Sequence, residues 1–301
     1  MSTVLITERP TDWREASLFV RNALCFNTRR DYAAEVRLFA AWIGKPAHAI
    51  TLSDLLAYRE HLESRGLKSA SIAKKLTVLR RLFAFCHDQG LLQRNPAAGL
   101  ALPKVNNESG RDILTLDECR RLLDAVDPST LRGKRDRAIL ALLLINGLRT
   151  CEIVRANVGD LRHEEDYWVL RVRGKGGKEA DTRIRDDVHA AIVSYASLRS
   201  DQPPDSPIFM GTNHRAKGRL TTRTVQHMVR RYMEKAGIER SNICVHSLRH
   251  TAVTLVILSG ASILKAQEFA RHSDPKTTTR YFHNLERMKD HAVLLHPVIV
   301  R

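Results

Sequence analysis

Residues 12–90 carry apolar side chains at every third or fourth position, which is the spacing of amphipathic helices. One helix is predicted for residues 28–43, and the run Thr-Leu-Ser-Asp at 51–54 has the form of a capping box that starts another. We expect Ser69 to cap a third helix that ends at Gly90. Its apolar stripe consists of Ile72, Leu76, Leu79, Phe83 and Cys86. These patterns predict an all-helical N-terminal domain with a basic exterior.

The helical periodicity stops in a polar segment rich in turn-forming residues, which we interpret as an interdomain linker at 102–110. The N-terminal domain would then cover residues 1–101 and a second domain residues 111–301. A second capping box, which begins at Thr115, marks the first helix of the second domain.

The second domain is predicted to be mostly helical, with a local β signal. Residues 167–173 and 180–185 are strand-like and flank the glycine-rich run GKGGK at 174–178, which is typical of a β-hairpin. We expect Ser247 to cap a helix that stops at Gly260, and Ser262 to cap the next one. The predicted fold class is therefore mainly α: a helical N-terminal domain and an α+β second domain with a small β-sheet.

The net charge of +16 favours a polyanionic partner, since such an excess of cations suits phosphate backbones. A generally basic, solvated surface is the alternative. For each of the residues that we predict to contact a DNA backbone, a solvated helix face is likewise the alternative. These residues are Lys74, Lys75, Arg80, Arg81 and Arg223.

The five cysteines are widely separated in apolar segments and form neither a metal-ligand spacing nor a disulfide framework. His246 and His250 have the spacing of a metal-binding pair, but no third ligand is evident. We therefore predict no metal site. The sequence has no run of apolar residues long enough to span a membrane and no signal-peptide pattern at its start, which predicts a cytoplasmic protein, nucleoid-associated when bound to DNA.

The side chains that carry chemistry suit attack by a protein oxygen on a phosphodiester. Charge gathers on the non-bridging oxygens in the transition state, and forked guanidinium groups bind such oxygens well. Arg149 and Arg249 are the candidates for this role. An ammonium on a flexible hairpin can protonate the leaving oxygen, and Lys175 fits that requirement.

Three further residues complete the predicted site. His246 and His272 can orient the phosphate or handle the proton of the nucleophile. Tyr281 can form a reversible phosphoester, provided that nearby cations and a base help its phenol to ionise. Arginine clusters take the place of magnesium in this scheme.

The motifs that carry these residues resemble those of the tyrosine recombinase, or phage integrase, family, which includes the Xer-like enzymes. GLRTCEI at 147–153 matches the first-arginine motif, GKGGK at 174–178 the hairpin lysine, and HSLRH at 246–250 the His-x-x-Arg motif. His272 precedes Tyr281 by nine residues, the spacing usual in the family. The helical segment before residue 102 resembles the family's SAM-like core-binding domain.

The resemblance implies a phosphate-activating set of Arg149, Lys175, His246, Arg249 and His272, with Tyr281 as the nucleophile. It implies cofactor-free chemistry through a 3′-phosphotyrosine and a Holliday junction. The implied partners are double-stranded DNA target sites and three further copies of the chain, in a homo-tetramer on paired sites that is monomeric or weakly associated off DNA. Accessory proteins are a further expected partner class.

One position departs from the family pattern. Residue 271 is arginine where the family often has glycine, which predicts an altered backbone before His272 and an added phosphate contact.

Two other functions remain open from the sequence. A catalytically silent DNA-binding regulator would be expected to have lost a catalytic side chain, and none is lost. A type IB topoisomerase uses similar phosphotyrosine chemistry to relax DNA. The sequence names neither the DNA target nor the biological task, whether integration, excision or resolution.

Overall fold

The structure, a computed structural model of the 301-residue chain, is described for most of its length. The described residues are 13–22, 26–105, 113–174, 177–199, 202–211, 218–240, 242–272, 274–275 and 278–279. The chain divides into two compact units, Met1–Ser109 and Gly110–Arg301, each with its own hydrophobic core. The predicted linker at 102–110 stays a prediction, because half of it lies outside the described residues.

The described part of the N-terminal unit is helical, as predicted. Its helices are α1 (Arg14–Asn22), α2 (Phe26–Ile43), α3 (Leu52–Ser64) and α4 (Ser69–Asp88). The capping box at α3 is confirmed: the Thr51 hydroxyl accepts a hydrogen bond from the Asp54 amide at 3.3 Å, and the Asp54 carboxylate accepts one from the Thr51 amide at 2.9 Å. All five residues of the predicted stripe on α4 are buried.

The second unit combines helices with one small sheet. Its elements are α5 (Leu116–Asp124), α6 (Leu131–Leu144), α7 (Thr150–Arg155), β1 (Leu161–Glu164), β2 (Tyr167–Arg173), β3 (Glu179–Ile184), α8 (Asp186–Ala196), α9 (Thr222–Lys235), α10 (Val245–Leu258) and α11 (Ile263–Ala270). Helix α6 is almost wholly buried, and it packs against α8 and α10. It forms the centre on which the other elements assemble.

The predicted hairpin is confirmed as the antiparallel pair β2–β3, in which Arg173 lies opposite Glu179. Strand β1 adds a third antiparallel strand at the edge, so the order is β1-β2-β3. Strand β1 is not predicted from the sequence, because its four residues, Leu-Arg-His-Glu, show no alternation of apolar and polar positions. Helix α8 is likewise not among the predicted helices.

Two predicted caps are wrong, although their helices form. Lys68, not Ser69, occupies the capping position of α4. Helix α10 begins at Val245, so Ser247 lies inside its first turn, where its hydroxyl accepts a hydrogen bond from the Cys244 amide at 3.1 Å. Among the helices of the described residues, none has the length and apolar character that crossing a bilayer requires.

Candidate active site

Arg149 is positioned by the turn between α6 and α7. Gly147 there has a φ of 56°, a left-handed conformation that glycine adopts without steric cost. Leu148 behind it is fully buried. This anchoring places Arg149 at the N-cap of α7, with its side chain 32% exposed. The guanidinium is thus fixed at its base yet reachable by a ligand.

Glu152 holds Arg149 from within the same helix. One carboxylate oxygen accepts from the Arg149 amide at 2.8 Å and the other from its Nη1 at 2.9 Å. Glu152 itself is buried. Burial opposes its ionisation, but Arg271 and the hydrogen bonds from Arg149 outweigh that effect and hold the pKa of Glu152 below its usual range. The carboxylate therefore remains charged and positions the arginine.

Arg249 lies on α10, with 4% of its surface exposed. Its Nη1 donates to the carbonyl oxygen of Gly147, and its Nη2 donates to the carbonyl oxygen of Ala270. Gly147 stands two residues before Arg149, and Ala270 stands two residues before His272. The guanidinium therefore joins the main chain beside both of these predicted site residues.

His272 follows α11, where its Nδ1 lies 2.9 Å from the Thr278 hydroxyl. Burial, and then the positive charges of Arg249, Arg149 and Arg271, lower the pKa of His272 to about 4. The imidazole is thus neutral near pH 7. A neutral imidazole can accept a hydrogen bond, and with it a proton, from a nucleophile, although the guanidinium charges that lower its pKa also make it a weaker base.

This depressed pKa predicts a pH-dependent stability. The ordinary pKa of a histidine is 6.5, so above that pH the ring is neutral in both the folded and the unfolded chain. Its titration then leaves the free energy of unfolding unchanged. As the pH falls from 6.5 towards about 4, only the unfolded chain takes up the proton, and stability is lost. We expect His272→Gln to lose less unfolding free energy than the wild type between pH 7 and pH 5, measured by urea denaturation. Equal losses in both proteins would contradict the assignment.

His246 lies in the first turn of α10, one turn before Arg249, and it is exposed. Residues three apart share a helix face, so His246 projects from the same side as the guanidinium. The structure thus places it on the helix that carries Arg249, with its side chain open to solvent. Its predicted role with the phosphate stays a prediction.

Lys175 and Tyr281, two of the predicted site residues, lie outside the described residues. The base of the hairpin loop is described. The Arg155 side chain donates to the Gly174 carbonyl oxygen at 3.1 Å, and a β-carbon built on Gly174 would lie 4.0 Å from a carboxylate oxygen of Glu152. Gly174, which precedes Lys175 in the chain, therefore lies beside the carboxylate that holds Arg149.

Arg271 is a member of the cluster whose contacts differ from the expectation. It was expected to contact a phosphate, but its guanidinium turns inward: Nη2 donates to Glu152 and Nη1 to the Thr182 hydroxyl, both at 3.2 Å. Only 12% of the side chain is exposed. In the structure these protein contacts hold the guanidinium, and the expected phosphate contact stays a prediction.

The predicted DNA-backbone residues differ in their surroundings. Arg80 is exposed. The Lys74 side chain is 77% exposed, and its ammonium lies 4.0 Å from Asp31. The ammonium of Lys75 instead donates to the buried Glu35 at 2.6 Å. That ion pair gives Lys75 a role inside its own unit, while its contact with DNA stays a prediction.

The remaining two of these residues are exposed. Arg81 donates to the Tyr32 hydroxyl, and Arg223 on α9 lies 3.4 Å from the His227 ring. Neither contact buries the guanidinium, so both groups remain available to an anion.

Within the described part of the chain, no group of three or more histidine, cysteine, aspartate or glutamate residues could hold a metal ion. The cluster around Arg149, Arg249 and Arg271 is instead rich in guanidinium groups. Its chemistry is that of a site for an oxyanion.

Two family models match the chain. The model described as "Phage integrase family" covers residues 112–288, and the model described as "Phage integrase, N-terminal SAM-like domain" covers residues 15–90. Together they account for both units of the fold.

Curated relatives match over nearly the whole chain. Tyrosine recombinase XerD of Haemophilus ducreyi is 30% identical over 93% of this chain and 95% of its own length. Tyrosine recombinase XerC of Pelotomaculum thermopropionicum is 30% identical over 86% of this chain and 87% of its own.

Solved structures share the fold at lower identity. XerH recombinase in a post-cleavage complex with its difH substrate superposes with a TM-score of 0.71 at 19% identity, over 89% of this chain and 80% of its own. A lambda integrase tetramer bound to a Holliday junction gives a TM-score of 0.71 at 18% identity, over 89% of this chain and 75% of its own. With the family models and the curated relatives, these findings show that the chain belongs to the phage integrase family and is a site-specific tyrosine recombinase.

Proposed function

We propose that this recombinase cuts and rejoins duplex DNA through a 3′-phosphotyrosine formed on Tyr281. One observation supports the proposal above all: the buried guanidinium of Arg249 joins the main chain beside Arg149 to the main chain beside His272. Residues that are remote in sequence thus converge on a cationic cluster suited to a single phosphodiester.

In the proposed step, the phenolic oxygen of Tyr281 attacks phosphorus while the bond to the 5′ oxygen of the next nucleotide breaks. The non-bridging oxygens gain charge in the transition state, and Arg149 and Arg249 stabilise it. The phosphoester bond energy is kept in the phosphotyrosine. A 5′ hydroxyl from the partner strand can therefore reverse the step with no external energy source.

Proton transfer accompanies both halves of the reaction. His272 is neutral at pH 7 and can take the proton of the phenol, with His246 as the second imidazole for orienting the phosphate. Lys175, the residue that follows Gly174 in the chain, can protonate the leaving 5′ oxygen. In the return step Lys175 accepts the proton of the attacking 5′ hydroxyl, and His272 returns a proton to the phenolic oxygen of Tyr281.

For the assembly, we propose four copies on two paired DNA sites, with exchange through a Holliday junction. The lambda integrase relative was solved as a tetramer bound to such a junction, and XerH was solved bound to DNA. The charge of +16 supports a duplex DNA partner and hence residence at the nucleoid. Accessory proteins that set the direction of exchange complete the proposed partners.

The proposal is tested by covalent trapping. Duplexes that the protein selects from a random library supply candidate sites. A nick placed just downstream of the cleavage position lets the short fragment with the free 5′ hydroxyl diffuse away, so that cleavage is irreversible. We expect a protein–DNA adduct, linked through the 3′ phosphate, to accumulate equally with magnesium and with EDTA. A strict requirement for metal would contradict the proposed role of the arginines.

The same protein preparation separates the alternatives. A silent regulator would retrieve DNA but form no adduct. A topoisomerase would steadily relax supercoiled plasmids that lack the retrieved site, whereas a recombinase exchanges strands only where two sites are present.

A further inference from the structure

Arg271 has a backbone conformation that its residue type rarely adopts. It ends α11 with φ 49° and ψ 47°, in the left-handed region, where a β-carbon crowds the backbone. A non-glycine residue persists there when surrounding contacts compensate for the strain, and such outliers cluster at functional sites. The contacts of the side chain therefore indicate what holds Arg271 in place.

Those contacts link three elements of the second unit. The guanidinium donates to Glu152 on α7, to Thr182 on β3 and to the carbonyl oxygen of Phe269 on α11, each at 3.2 Å. Its Nε is buried and has no hydrogen-bond partner within the described residues. Since so little of the side chain reaches solvent, the charge of Arg271 acts on its protein neighbours.

The most important neighbour is Glu152, whose carboxylate lies between two arginines. One oxygen faces the Nη1 of Arg149 at 2.9 Å, and the other accepts from the Arg149 amide at 2.8 Å and from Arg271 at 3.2 Å. Charges interact strongly when they are removed from water. Without Arg271, the whole negative charge of Glu152 would fall on Arg149 and weaken the field that Arg149 presents to a phosphate.

We propose that Arg271 is a positioning residue that neutralises Glu152, so that Arg149 keeps both its N-cap geometry and its net positive charge towards the scissile phosphate. The inference rests on the proposed function, since it assigns Arg271 to the same reaction. Arg271 acts through Glu152 and Arg149 and does not itself touch the DNA. It also stands beside His272, whose pKa its charge helps to lower.

The test uses single-turnover cleavage of the nicked duplex by the full-length protein. Arg271→Gln keeps a β-carbon in the strained backbone and removes the charge, whereas Arg271→Lys keeps the charge. We expect Arg271→Gln to slow cleavage by about 10-fold to 100-fold, a coupling usual for residues that share an ion-pair network, and Arg271→Lys to recover part of the rate. Equal rates for the two variants would overturn the proposal.

A double variant separates the charge effect from a general structural one. If Arg271 acts by neutralising Glu152, removing that carboxylate makes the arginine dispensable. We expect Arg271→Gln combined with Glu152→Gln to cleave faster than the product of the two single effects predicts. Effects that multiply independently would refute coupling through Glu152.

Two further measurements keep the outcomes distinct. The affinity of Arg271→Gln for intact duplex should match that of the wild type and fall equally with added salt, because in this proposal Arg271 makes no phosphate contact. If the affinity of the variant depended less on salt than that of the wild type, Arg271 would contact a phosphate directly. Failure of the wild type to form an adduct would refute the proposed function. A wild type that cleaves at the same rate as Arg271→Gln would refute only this inference.

Discussion

Tyr281→Phe is expected to abolish covalent capture of DNA while leaving DNA binding intact. The substitution removes one oxygen, and that oxygen is the proposed nucleophile, so no phosphotyrosine can form. The arginines and imidazoles that would hold the phosphate are unchanged. The measurement is the yield of adduct on the nicked duplex, alongside the affinity for intact duplex in a gel-shift titration.

Tyr167→Phe is the matched control. Tyr167 lies at the start of β2, where its ring packs against the Arg183 guanidinium, 4.7 Å from the ring centre, and phenylalanine preserves such a contact. Its adduct yield should equal that of the wild type. An adduct that persisted in Tyr281→Phe would rule out Tyr281 as the nucleophile.

Arg249→Lys is expected to impair both cleavage and stability. A lysine lacks the planar guanidinium group, whose donors point in several fixed directions. It therefore cannot donate to the carbonyl oxygens of both Gly147 and Ala270 and also bind a phosphate. Loss of one transition-state donor of this kind slows chemistry by about 100-fold to 1,000-fold. Leaving a buried carbonyl without its donor costs about 1–3 kcal/mol of unfolding free energy. Single-turnover cleavage and urea denaturation measure the two effects.

Arg135→Lys serves as the comparison, since Arg135 is equally buried at 3% exposure but pairs with Asp136 and with the Met210 carbonyl oxygen, outside the motifs of the site. It should lose stability, yet its folded fraction should cleave at the wild-type rate. The role of Arg249 in the transition state would be untenable if the folded fraction of Arg249→Lys also cleaved at the wild-type rate.

Local sequence signals predicted those parts of the fold whose determinants are local. A capping box needs only residues three apart, so the starts of α3 and α5 could be located from Thr51 and Thr115. The β2–β3 hairpin was predictable because strand-like runs flank a glycine-rich turn. Strand β1 could not be predicted in this way, because it forms through its pairing with β2 and its own sequence has no strand pattern. Ser247 was wrongly predicted as the N-cap of α10, because a serine in the first turn can also accept a hydrogen bond from the backbone amide of the residue before the helix.

The identity of the site residues was predictable from motifs, but their connections were not. Nothing in the order of the residues indicates that Arg249 donates to the main chain beside Arg149, because that contact depends on how α10 packs against α6. The inward turn of Arg271 was equally hidden. Its direction follows from the buried carboxylate of Glu152, which lies 119 positions earlier in the chain.

The two acceptors of Arg249 lie 102 residues before it and 21 residues after it in the chain. Neither half of this bridge can exist until the helices that carry it have docked, so the local sequence around Arg149 is not enough to build the cationic cluster. A chain still emerging from the ribosome therefore cannot complete this bridge until synthesis has passed Ala270.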